Sequence, residues 1–380
     1  MCKERIDVIV PMDVLDQNAE KATRLEKTHR FEATDRAPVV VDEQIWALLD
    51  GSGQTFSTFT DNPRAQLRSH LLNFKWRSEN IHDDLPIETQ TLVVQPHFGS
   101  IRGTEFPINV HWMGDDPPKS EHLITSVEQM DALVVPEPDG GMNAMIIEWY
   151  QAMRDMAGDF DLRLNGEPIE IEVTVNHPGG PIPSAFALCG PNLFLWMAID
   201  PERVHKLMEV VTKSHQQCIQ YFDELVGRDS DHPIWLGCDT GEMISGKMFR
   251  EFVVPYYVKI WEQYPRPRVF HMCGNINHLL DIIRDEMEIN YMDGFGFPVQ
   301  PDKLQMAWSG RVVMRGGPHP ALIHDGPEEA IRAECEHYLR TVGSQGGYVL
   351  SEGNGIMPKT PYQHIEAMLE ASKQVGPWKD

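Results

Sequence analysis

From residue 35 onward, short β-branched or apolar runs ending in Gly, Pro or polar residues alternate with longer stretches of helical spacing. That alternation of strand and helix builds a parallel sheet. The runs are Ala37–Val41, Thr91–Pro96, Ile169–Val175, Ile234–Gly237, Arg268–Phe270, Tyr291–Met292, Val312–Met314 and Tyr348–Leu350, and eight such strands close a (β/α)8 barrel. Helix starts fall between them. Asp200-Pro201-Glu202 offers a cap and a first-turn Pro ahead of Val204, Leu207, Met208 and Val211 on one face. Asp325-Gly326-Pro327 repeats the signal before Ile331, Cys335 and Leu339, and Thr360-Pro361 opens a last helix with Ile365, Met368 and Leu369. The expectation is an α/β protein: a single TIM-type (β/α)8 barrel over residues 35–380, preceded by an N-terminal extension over 1–34 and carrying inserted loops. The stretch Phe98–Pro118, rich in Pro and Gly, reads as a loop or hairpin over one barrel end.

Composition narrows the function classes. The 380 residues are 41% hydrophobic, ample for a large core, and Phe186 to Ala198 is interrupted by Cys189, Gly190, Pro191 and Asn192. It falls short of the roughly 20 apolar residues a membrane helix needs, so no membrane span is expected. Lys3, Glu4, Arg5 and Asp7 fill the place of a signal sequence, and the Cys at 2, 189, 218, 238, 273 and 335 lack disulfide-framework spacing, which points to the cytoplasm. Asp and Glu number 57 against 33 Lys and Arg, and the resulting charge of −24, with no basic cluster, repels nucleic acid.

In a barrel of this kind the reactive groups follow the strands. Those positions hold Asp42 and Glu43, His97, Asn176 and His177, Cys238, Asp239 and Glu242, His271 and Cys273, Asp293, Arg315, Glu352 and Asn354. His271 and Cys273 stand two apart at a strand end, where residues i and i+2 point the same way, so imidazole and thiolate can meet one metal ion. The same triple also suits a satisfied His beside a buried Cys, and a zinc site needs a third ligand. Asp239 and Glu242 are candidates for general base, metal ligand or support to a ligand, or else for a helix cap. His97 is placed to orient substrate or donate a proton. Asp293, in a Gly-rich turn, and Arg315, after the seventh strand, are candidate substrate groups, Arg315 for a carboxylate or in a structural salt bridge. Glu352 and Asn354 sit on a Gly-flanked turn with reach into a pocket mouth.

Several segments together resemble the uroporphyrinogen decarboxylase superfamily, and within it the zinc- and corrinoid-dependent methyltransferases. They are Thr34-Asp35-Arg36-Ala37-Pro38-Val39, Glu242-Met243-Ile244-Ser245 with Met248-Phe249-Arg250-Glu251-Phe252-Val253 and Pro255-Tyr256, His271-Met272-Cys273-Gly274-Asn275, and Ser351-Glu352-Gly353-Asn354-Gly355-Ile356 with Pro358 and Thr360-Pro361. The resemblance implies His271 and Cys273 as zinc ligands. In that branch a second Cys after the last strand completes the set; its place here is Asn354, a poorer zinc ligand than thiolate, which leaves Glu352, Glu242 or Cys238 for the third position. It further implies methyl transfer between a small methylated substrate (ether, alcohol or amine) or an acceptor and the cobalt of a corrinoid. The corrinoid would ride on a partner protein, because the chain lacks a D-x-H-x-x-G cobalamin signature. Zinc would act as the Lewis acid, and the reading leaves room for a homodimer. Two alternatives share the fold: a decarboxylase of a non-porphyrin carboxylate, and a barrel that binds a metal or small ligand without turnover. The decarboxylase branch grips its tetrapyrrole through arginines after the first strand, where this chain reads Val41-Asp42-Glu43-Gln44-Ile45-Trp46.

Overall fold

Among the described residues, 3–377 of the computed structural model, the strands are β1 (Glu4–Val8), β2 (Thr91–Val94), β3 (Val110–Met113), β4 (Asp116–Ser120), β5 (Phe160–Leu164), β6 (Glu167–Pro168), β7 (Glu170–Val173), β8 (Trp235–Gly237), β9 (Val269–Met272), β10 (Tyr291–Phe295), β11 (Val313–Gly316) and β12 (Tyr348–Leu350). Helices intervene throughout, and the fold is α/β. Seven of the eight expected runs are strands, with ends that move by at most three residues. The eighth, Ala37–Val41, makes only an isolated parallel bridge between Val39 and Leu350. One edge of that segment does pair, since Val40 N donates to Leu350 O and Leu350 N to Pro38 O, both at 2.9 Å. On the other edge the amides of Val39 and Val41 are taken by the carboxylates of Asp84 (2.7 Å) and Asp83 (3.0 Å), so no second ladder forms there.

The chain divides into two compact units. The first comprises the residues up to Val94, Ala152–Val173 and the residues from Met292. In it β1 pairs in parallel with β5, β2 with β7, and β11 with β12, while β10 lies next to β11. Thus the stretch expected as an extension contributes a strand, with Ile6 opposite Leu162. The core of this unit stacks Phe295 against Tyr338 and Tyr348, and the Tyr348 hydroxyl donates to Gly316 O at 2.8 Å.

The second unit comprises Gln95–Gln151 and Thr174–Tyr291. Its backbone is the helix Pro201–Val226, whose start the sequence marks: Asp200 accepts from Arg203 N, Pro201 takes the first turn, and Gly227 ends the helix in the left-handed region at φ 70°. Val204, Leu207, Met208, Val211 and Phe222 form its buried face. The two other anticipated caps do not form. Asp325 closes the preceding helix and pairs with His324, leaving extended Pro327 to start Glu328–Thr341, and the Thr360 hydroxyl donates to Met357 O rather than capping Tyr362–Val375. The insert Phe98–Pro118 does carry a hairpin, β3 against β4, antiparallel. Among the described residues no single helix is long and apolar enough to cross a membrane.

Candidate metal centre and adjoining cavity

β8 and β9 run parallel with Gly237 opposite His271, and Cys238 N donates to His271 O at 2.9 Å. Their apolar side chains hold them in the core: Leu236, Phe270 and Met272 are fully buried, the Trp261 indole donates to Ile234 O and the Tyr257 hydroxyl to Gly237 O. With Phe270 and Met272 turned inward, alternation leaves His271 partly open, and Cys273 follows on the same side. A short turn after β8, Asp239–Met243, brings Asp239 to meet them. Asp239, His271 and Cys273 offer ligand atoms that all lie within 4.8 Å of one another. Asp239 Oδ1 is 3.4 Å from His271 Nε2 and accepts from the Cys273 thiol at 3.4 Å. Burial, reinforced by the adjacent Asp239 carboxylate, pushes the Cys273 thiol up to about 12. A cation among these groups reverses that preference, because it favours thiolate and offsets the carboxylate. The donor set of one nitrogen, one carboxylate oxygen and one sulfur suits zinc.

Of the residues proposed as third ligand, Glu242 lies on the same turn and accepts from Asn275 N, while Cys238 is fully enclosed, burial pushing its thiol up to about 12. Glu352 and Asn354 belong to the first unit. There Glu352 is buried and accepts from Asp42 N (3.2 Å), Gly355 N (3.0 Å) and the Ser351 hydroxyl (3.2 Å); burial, with Asp42 nearby, pushes its carboxyl up to about 8. Asn354 is exposed and its carbonyl accepts from the Gln44 amide. Arg315 pairs with Asp293 at 3.0 Å and with Asp42 at 3.6 Å in that unit, the salt-bridged arrangement weighed for it from the sequence. Glu43 is held by Arg77, itself bound to Asp83, and burial pushes its carboxyl up to about 7.

A cavity of about 720 Å³ lies in the second unit. Trp235 lines it and also stands against the metal group, its ring centroid 5.7 Å from that of His271. His97 lines it too; enclosure, with Arg102 close by, pushes its imidazole down to about 4, so the ring is neutral at pH 7. A polar network borders the same space. His177 Nε2 lies 2.7 Å from Asp223 Oδ1 and His232 Nε2 lies 3.0 Å from Asp223 Oδ2, and the two rings stack at 5.2 Å. These ligand atoms also cluster within 4.8 Å, but the Arg228 guanidinium sits 3.0 Å from Asp223 Oδ1 and 2.9 Å from His177 Nε2. Its charge already neutralises the carboxylate, which makes this a closed polar network. His177 follows a strand and is legible in sequence; Asp223 and His232, far along the chain, carry no local signal.

A uroporphyrinogen decarboxylase from Xanthomonas axonopodis pv. citri is 24% identical over 289 residues, 70% of this chain and 74% of the relative. A methylated-thiol–coenzyme M methyltransferase from Methanosarcina mazei is 23% identical over 188 residues, 48% of each chain. The solved structure of a methyltransferase from Methanosarcina mazei superposes with a TM-score of 0.66 at 19% identity, covering 93% of this chain and 98% of that one. The profile of the family named uroporphyrinogen decarboxylase (URO-D) matches residues 20–375, and the chain belongs to that family.

Proposed function

We propose that this protein is a methyltransferase that moves a methyl group between a small methylated substrate (a methyl ether, alcohol or amine) or acceptor and the cobalt of a corrinoid held by a partner protein. The observation that carries the reading is the convergence of Asp239, His271 and Cys273 beside a cavity large enough for a small organic molecule, through the shared wall residue Trp235. Likeness to methyltransferases from Methanosarcina mazei supports it. The (β/α)8 closure expected from the strand succession belongs to the same proposal and rests on the family.

His271 and Cys273 would hold a zinc ion with Asp239 as the third protein ligand, and the ion supplies Lewis acidity toward the heteroatom that gives up or receives the methyl group. The chain's own residues do the remainder. Glu242, fixed by Asn275 N, is available as a proton acceptor beside the ligands. His97, neutral at pH 7, borders the substrate space as a hydrogen-bonding group. The Trp235 ring lines the cavity and packs against the His271 ring.

Decarboxylation is the second reading, favoured by relatives such as the Xanthomonas enzyme. For a non-porphyrin substrate it asks for a cationic group facing the substrate carboxylate, a place that Arg102 on the cavity wall would have to fill. In the first unit Arg315 is engaged by Asp293 and Asp42, and Arg77 by Asp83 and Glu43. The test incubates the protein with reduced corrinoid and a panel of methoxylated aromatics, methanol, methylamines and thiols while following the cobalt absorption spectrum. A spectral change lost in His271→Ala and Cys273→Ala, with zinc lost by elemental analysis, is expected. No change with any compound, together with full zinc in both variants, removes the proposal and leaves a barrel that binds ligand without turnover.

A further inference from the structure

The cavity of the second unit presents a cation that the metal group does not use. Arg102 lines it, is part-buried, donates only to the Ile101 carbonyl at 3.4 Å, and pairs with no carboxylate among the described residues. The other guanidinium on the wall, Arg228, is engaged by Asp223 and by the Thr174 hydroxyl at 2.7 Å. Glu105, the carboxylate on the wall, is buried, accepts from the Ser214 hydroxyl at 3.0 Å and stands 3.7 Å from His215 Nδ1. His97 adds no charge of its own at pH 7. A partly desolvated guanidinium without a counter-ion attracts an oxyanion more strongly than one in water.

A second wall residue narrows the ligand. Asn143 is 1% exposed, and its Nδ2 donates to the Pro138 carbonyl at 2.8 Å. A carbonyl can only accept, so this bond fixes the amide's orientation, and Oδ1 is left without a partner. The amides of Met142 and Asn143 both donate to Thr104 O, at 2.7 and 3.2 Å, which ties Asn143 to the Arg102–Glu105 stretch. Cation and orphaned acceptor therefore stand on neighbouring segments of one wall.

We propose that this cavity binds a small hydroxy- or amino-carboxylate, its carboxylate on Arg102 and its O–H or N–H donor on Asn143 Oδ1. As a statement about the methylated substrate the inference rests on the methyl-transfer reading; as a statement about binding it does not, and the two are measured separately.

The test is calorimetric titration of the full chain with 3-hydroxybenzoate, benzoate and phenol. The hydroxy acid binds most tightly, with benzoate weaker by about tenfold for want of the donor and phenol weaker by about tenfold for want of the charge. Arg102→Gln weakens both acids by about tenfold or more and leaves phenol unchanged. Asn143→Ala erases the difference between the two acids. Should that variant fail to fold, 3-methoxybenzoate on the unaltered protein tests the same point, because it keeps the oxygen and lacks the donor. Equal affinity for phenol and the acids, acids insensitive to Arg102→Gln, or no binding at all overturns the proposal. The expected pattern without any methyl turnover keeps it and sinks the methyl-transfer reading alone.

Discussion

Removing one carboxylate in the first unit should cost a large part of the protein's stability. Asp84, its side chain 2% exposed, accepts from Arg24 Nη1 (2.9 Å), Arg36 Nη1 (2.6 Å), Arg36 Nη2 (2.7 Å) and Val39 N (2.7 Å). In Asp84→Ala, Arg24 keeps Asp35 and Glu20 as partners, but Arg36 keeps only the Ala37 carbonyl at 3.2 Å while its side chain stays 11% exposed. The loss thus falls on an unpaired buried guanidinium, about 3–5 kcal/mol, with the orphaned Val39 amide adding within that range. Set against a typical stability of about 5–15 kcal/mol, this takes roughly a fifth or more. Asp281→Ala is the control. Its side chain is 78% exposed and it pairs with Arg284 three residues on, so the change costs less than about 1 kcal/mol. Urea unfolding followed by both far-ultraviolet dichroism and tryptophan fluorescence reads the two variants. An Asp84→Ala midpoint shift no larger than that of Asp281→Ala would refute the reasoning, since it would mean that the buried ion cluster contributes no more than a surface pair.

Asp239→Ala should lower zinc content as far as His271→Ala does, whereas Glu352→Gln should retain zinc, its carboxylate being committed to Asp42 N, Gly355 N and Ser351; elemental analysis of the three proteins decides which carboxylate is the third ligand. His97 makes stability pH-dependent in a definite direction. Its folded-state pKa is depressed from 6.5 to about 4, so its contribution is present above pH 6.5 and is lost as pH falls from 6.5 toward 4, at most about 3 kcal/mol because the ring borders the cavity. His97→Gln should flatten that part of the stability profile, and an unchanged slope would show that His97 is not its source. Gly141 has φ 55°, and a Cβ there would lie 2.4 Å from Phe106 O and 2.5 Å from Thr104 O; both are backbone atoms with little freedom to retreat. Gly141→Ala should therefore destabilise by about 1–3 kcal/mol and weaken ligand binding in the cavity, read by thermal melting with and without 3-hydroxybenzoate.

Where a run's residues suffice for its structure, the sequence could be read directly. β12 is buried at all three positions and needs only its apolar content to be found, and the His271/Cys273 pair follows from alternation along β9. Ala37–Val41 has the same apolar character, yet its amides are claimed by Asp83 and Asp84, more than forty residues away. No local pattern announces that competition. The β5–β6 hairpin has a local signal: Asn165 and Gly166 take φ of 50° and 91°, the left-handed pair that Asn-Gly favours. Asp239 was legible as a polar residue after a strand, but its choice between capping and ligation depends on the turn that swings it toward His271. Arg102 and Asn143 were invisible because each matters for what it lacks, and an absent partner has no spacing.

The contact between Asp42 N and Glu352 spans 310 residues, and the Val40–Leu350 pairing spans the same number. At about 5–20 residues per second, a ribosome takes roughly 15–60 s to deliver Glu352 after Asp42 has been made. Throughout that interval Val39, Val40 and Val41, all buried in the finished protein, have no strand to join. They form an apolar run that must be kept from other chains. Asp83 and Asp84 emerge only some forty residues later and can claim the amides of Val39 and Val41 well before β12 exists. The two carboxylates can thus close one edge of the segment early, so that only the Val40 edge is left open to intermolecular pairing until β12 arrives.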